Sequence, residues 1–133
     1  MKMIEVRYSL DEAIDVLGTQ KEIEAVRQEI LKFLETDSEK IQIEIEKDIN
    51  SESWDFVASD LQITRNATPV KVSINEEKVI KIEGSKDNLE NFTSFLFFEE
   101  TAISKSHSHF EYYDYEGNVY VHPDSFPLII GIK

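Results

Sequence analysis

Val6-Arg7-Tyr8-Ser9-Leu10-Asp11-Glu12-Ala13-Ile14-Asp15-Val16-Leu17-Gly18-Thr19 reads as strand, polar turn, strand, then a glycine and a hydroxyl residue. The same plan returns in Val72-Ser73-Ile74-Asn75-Glu76-Glu77-Lys78-Val79-Ile80-Lys81-Ile82-Glu83-Gly84-Ser85. A recurrence of this kind makes the fold two copies of one supersecondary unit, so it is read before any single element. After the glycine each copy turns helical. Thr19 and Ser85 are suited to cap those helices, because a hydroxyl accepts from the free N–H groups of the first turn. Ile23, Val26, Ile30 and Phe33 or Leu34 fall on one face of the first helix, and Leu89, Phe92 and Leu96 on one face of the second. Phe92, Phe95, Phe97 and Phe98 crowd the second stripe, which predicts burial within the domain.

Beyond each helix the period changes to two. Ile41-Gln42-Ile43-Glu44-Ile45-Glu46 and Ser108-His109-Phe110-Glu111-Tyr112 alternate as strands. A further strand follows in each copy, Trp54–Ala58 and Asn118–His122, and a short third, Leu61–Thr64 and Leu128–Ile130. The seam lies at the turn-prone Asn66-Ala67-Thr68-Pro69. The expected class is α+β: two pseudo-repeats, 1–66 and 67–133, each strand-strand-helix-strand-strand with an optional last strand. The expected layout is a largely antiparallel sheet, continuous through both copies, with two helices on one face. A chain of 133 residues suits one compact domain spanning 1–133.

Zero cysteines rule out disulfides and thiolate metal sites and, with no signal-like start, point to the cytoplasm. No apolar run approaches the roughly 20 residues a membrane span needs. The formal charge of −13, from 27 acids and 14 bases, argues against nucleic acid as a partner, since phosphate binding takes clustered cations. It favours encounter with a basic protein, such as a nuclease whose cleft is built for nucleic acid, or else serves solubility alone.

All three histidines fall late in the chain, in Ser106-His107-Ser108-His109-Phe110-Glu111-Tyr112-Tyr113 and Val121-His122-Pro123-Asp124-Ser125. On a strand, His107, His109 and Glu111 share one face. A hairpin turning at Asp114-Tyr115-Glu116-Gly117-Asn118 brings Glu111 opposite His122 and Tyr113 near Tyr120. His107, His109, Glu111 and His122 then form the alternative reading, a metal-binding module or metal-dependent enzyme, because imidazole and carboxylate together suit zinc. The plainer reading pairs His109 with Glu111 by a hydrogen bond on a sheet face. No phosphate-binding glycine loop, nucleophile elbow or triad pattern is present, so no catalytic residue and no cofactor is assigned, and an enzyme is not the leading expectation.

The second copy, through Gly84-Ser85 to Leu89, His107-Ser108-His109-Phe110-Glu111-Tyr112, Pro123-Asp124-Ser125 and Pro127-Leu128-Ile129-Ile130, resembles the Imm32-type immunity proteins of bacterial polymorphic toxin systems. The resemblance covers mainly the C-terminal half. The first copy departs from it with Ile41, Gln42 and Ile43 where the histidine strand stands. What it implies is a small cytoplasmic protein, monomer or homodimer, that binds and neutralises a cognate toxin without chemistry of its own. The acidic charge suits a basic toxin. His109, Glu111, Tyr113, Asp114, Glu116 and His122 are the surface groups expected to meet it, through charge and hydrogen-bond complementarity.

Overall fold

A computed structural model of the chain describes residues 3–67, 69–114, 118 and 120–133. Strand β1 (Glu5–Tyr8) turns through Ser9–Ala13 into β2 (Ile14–Gly18), and helix α1 (Gln20–Leu34) follows. Then come β3 (Lys40–Ile43), a short β4 (Phe56–Val57) and β5 (Asp60–Arg65). The second copy repeats the order: β6 (Lys71–Ile74), β7 (Val79–Gly84), α2 (Lys86–Thr93) tightening into a 3-10 turn at Ser94–Leu96, β8 (His107–Phe110) and β9 (Leu128–Ile132). The class is α+β, as the alternating periods predict.

The sheet is not continuous. Two sheets form, ordered β4-β1-β2-β9-β8 and β3-β5-β7-β6. The first holds the hairpin and β4 of the first copy with β8 and β9 of the second, and the other holds the hairpin of the second copy with β3 and β5 of the first, so the repeats exchange strands. The exchange is made by one parallel pair in each sheet, β2 on β9 and β5 on β7, with every other ladder antiparallel. It ends alike in both: Lys133 N–H donates to Gly18 O at 2.9 Å, and Asn66 N–H to Gly84 O at 2.9 Å.

Gly18 and Gly84 stand at close approaches of the chain to itself. A Cβ on Gly18 would stand 3.0 Å from Ile4 Cγ2, and one on Gly84 3.0 Å from Val70 Cγ2 and 3.2 Å from Val70 Cα. The helix starts behave as expected. Thr19 Oγ1 accepts from Glu22 N–H at 3.1 Å while the Glu22 carboxylate accepts from Thr19 N–H at 2.8 Å, and Ser85 Oγ accepts from Asn88 N–H at 3.2 Å.

Inner strand residues form cross-strand rows. Phe56, Tyr8, Ile14, Leu128 and Phe110 make one row of the first sheet, and Ile43, Leu61, Ile80 and Ile74 its equivalent in the second. α1 packs on α2, β2 and β3, and α2 on β7, so the helices bridge both sheets over one apolar cluster that runs from Ile4 to Ile132. Phe110 meets Phe92 and Phe95 edge to face at 4.8 and 4.9 Å, tying β8 to the second helix. Phe92 is buried and Phe95 and Phe98 pack partly against the core, but Phe97 is 56% exposed. The helix has given way to a 3-10 turn by Leu96, and the phase that buried its stripe is lost there. No helix is long and apolar enough to cross a membrane among the described residues.

Candidate functional site

Because side chains alternate across a strand, the registers that assemble the core also fix what faces outward. On the outer face of the first sheet, one row runs Val57, Arg7, Asp15, Ile129, His109, and the next runs Glu5, Leu17, Gly131, His107. On the second sheet the equivalent rows are Ser73, Lys81, Gln62, Gln42 and Lys71, Glu83, Thr64, Lys40. The scaffold is the same and the chemistry is different. The second face is uniformly polar, and the one acid of these rows is answered locally: Lys81 lies 3.6 Å from Glu83, while Gln42 donates to Asp60 at 2.9 Å. The first face has half-buried Leu17 and Ile129 at its centre, histidines at one edge and carboxylates toward the other.

Arg7 is 4% exposed although it belongs to an outer row. The loop before β4 folds over it. Its Nε donates to Asn50 O at 2.7 Å, its Nη2 to Glu5 Oε1 at 2.7 Å, and Glu52 stands 3.8 Å away. Lys133 closes on the other oxygen of Glu5. Asp15 lies directly across the ladder from Arg7, yet among the described residues no hydrogen bond or ion pair reaches its carboxylate. Burial raises the Asp15 carboxyl above its ordinary value; the Arg7 charge opposes this, and Glu5 and Glu52 add to it. Burial acts on Glu5 in the same sense, but the hydrogen bonds and charges of Lys133 and Arg7 prevail and hold it below its ordinary value.

The histidine stretch is arranged differently from the expected hairpin. β8 pairs with β9 rather than with 118–122, and Val121 instead bridges in parallel to Val70 at the edge of the second sheet. Burial decides between the two pairings. Phe110 opposite Leu128 completes an inner row, whereas the Asn118 side chain donates to Tyr113 O and accepts from Tyr120 N–H and Val121 N–H. His122 is thereby removed from the other histidines. Its N–H donates to Val70 O at 2.9 Å and its Nδ1 accepts from Asp124 N–H at 3.0 Å, so its ring closes a turn. His107 and His109 remain neighbours, their exposed rings 5.0 Å apart. The four-ligand cluster of His107, His109, Glu111 and His122 is not assembled, and among the described residues no group of three or more His, Asp or Glu side chains is placed to hold a metal.

Glu111 does not bond His109. Its carboxylate accepts from the Tyr113 hydroxyl at 2.8 Å, and that bond, with the charge behind it, raises the Tyr113 phenol. Tyr112 donates to Asp114 at 3.4 Å. Tyr113 is 57% exposed and Tyr120 is exposed too. Glu116 lies outside the described residues. Ser125, beside His122 and Asp124 in sequence, is buried, and its hydroxyl accepts from Val72 N–H at 2.8 Å. It anchors the loop to β6.

Of the outer-face residues, the sequence reading singled out only His107 and His109. Asp15, Leu17 and Ile129 carry no motif. The signal was in the aligned copies, where Asp15 stands for Lys81 and Leu17 for Glu83. No family model, curated protein or solved structure matches the chain.

Proposed function

We propose that this chain is an immunity-type protein that binds and neutralises a cognate bacterial toxin by acidic complementarity to a basic toxin surface. The observation that carries the reading is how few of the acids are answered internally. Among the described residues, ion pairs engage only Glu5, Glu24, Glu52, Asp60 and Glu83. The other carboxylates leave their field to the solvent, and such a field accelerates encounter with a cationic protein while repelling nucleic acid. A depression beside β3, lined by Glu44, Glu46 and Asp48 together with the Lys47–Asp60 pair, adds to that field.

The exposed Tyr113 and Tyr120, with Glu111 and Asp114 beside them, support the same reading: an amphipathic ring with a polar tip gives large contact area for little lost freedom. His109 is an exposed candidate contact on β8, and the His122 ring serves the turn. In this reading the protein works in the cytoplasm of the toxin-producing cell, with no cofactor. Co-expression with the product of the neighbouring gene tests it. A stable complex with relief of growth arrest is expected; no complex and no relief would overturn it.

A further inference from the structure

The two sheets provide an internal control, since one scaffold is presented twice with different outer residues. We infer that the outer face of the first sheet, centred on Asp15, Leu17, Ile129 and Gly131 and bordered by His107 and His109, docks a cationic side chain of a protein partner together with its apolar flank. The inference rests on the partner-binding reading and says where on the molecule the partner sits.

Two observations favour a cationic occupant over water alone. The Asp15 carboxylate has no hydrogen bond or ion pair among the described residues, and the nearby guanidinium of Arg7 is already engaged by Asn50, Glu5 and Glu52. A half-buried carboxylate left this way gains from an incoming lysine or arginine; the Arg7 charge across the ladder favours its ionised form, and Glu5 and Glu52 offset that charge. Beside it, Leu17 and Ile129 offer an apolar floor, and Gly131 keeps that floor open. The atoms nearest a Cβ on Gly131 would be Leu17 Cδ1 at 3.5 Å, Ser106 O at 3.8 Å and His107 Cβ at 3.9 Å, which is ordinary contact distance. The glycine is not required by crowding, unlike Gly18 and Gly84. In the other copy, the positions of Asp15, Leu17, Gly131 and Ile129 are held by Lys81, Glu83, Thr64 and Gln62, which offer neither an unanswered acid nor an apolar floor.

The test titrates the whole protein, labelled for NMR, with a short capped peptide of alternating arginine and leucine, and with a glutamate-for-arginine peptide as control. Shift changes are expected at Asp15, Leu17, Ile129, Gly131, His107 and His109, with none at Gln42, Gln62, Lys81 and Ser73. Asp15→Lys and Ile129→Gln each install the residue of the other repeat at a half-buried position; well-dispersed spectra show that each variant folds. Asp15→Lys should weaken binding about tenfold or more, as expected when one partner of a close charge pair is lost. Shifts scattered over the acidic surface, shifts on the second sheet, or no binding would overturn the inference. So would shifts at this face that appear with protein concentration alone, which would assign it to a second copy of the chain. Toxin protection without localised shifts would leave the immunity reading standing and this face without its role.

Discussion

Asp15 and Glu5 face the same side of one hairpin, and their carboxyls are driven in opposite directions. Glu5 is held below 4.5 in the folded protein, so its stabilising contribution is present above that value and is lost as pH falls through the lowered one. Asp15 is raised above 3.8, so the folded state holds its proton more tightly than the unfolded chain does. Its contribution is present below 3.8 and is lost as pH rises through the raised value. Asp15→Asn should therefore remove a fall in stability between the ordinary and the raised value and leave the variant more stable than the wild type at neutral pH. Urea midpoints measured across a pH series check this; a variant weakened at neutral pH would contradict it. Such a gain would also mark Asp15 as a residue kept at a cost to stability, as binding groups often are. Gly84 is the opposite case, a residue the fold demands. A methyl there presses on the Val70 backbone, which is fixed by its bonds to Tyr120 O and His122 N–H, so Gly84→Ala should cost about 1–3 kcal/mol by overpacking. Gly131→Ala, with room at its Cβ, should cost much less. Denaturation of the two variants side by side separates these outcomes.

Helices and strands were legible in the chain because each has its own period and its own end signal. Thr19 and Ser85 cap as their hydroxyls predict, and Thr19→Ala should cost about 1 kcal/mol, measurable by thermal unfolding. Pairing was less legible. Ser108–Tyr112 and Asn118–His122 look like a hairpin because a turn lies between them, but a local turn competes with burial of Phe110 against Leu128, Phe92 and Phe95, and burial prevails. Phe110 packs β8 against α2, beside the Ser108 hydroxyl bond to Phe95 O, so Phe110→Ala should cost about 3–5 kcal/mol. If β8 were instead held chiefly by a local hairpin, the loss would be far smaller. The exchange of strands between the repeats follows the same rule. The parallel pairs β2 on β9 and β5 on β7 join strands that are not consecutive in the chain, and no local pattern announces them.

For the molecule as a whole, the repeat read from Val6–Thr19 and Val72–Ser85 proves more useful than the histidines it led toward. His122 belongs to a turn and the metal cluster dissolves, while the aligned copies single out Asp15, Leu17 and Ile129, which have no motif to advertise them. That face was illegible in the sequence because a strand reveals its alternation but not its neighbours, and the outer rows exist only once the registers are set. The proposed complex is held in good part by charge, so its affinity for a basic partner should fall as salt is raised. The most direct test of the account exchanges the equivalent charges of the two sheets and measures protection from the toxin. Asp15→Lys should abolish protection and Lys81→Asp should leave it intact. Equal losses from both exchanges, or a loss from Lys81→Asp alone, would contradict the claim that one repeat-derived face of this molecule carries its function.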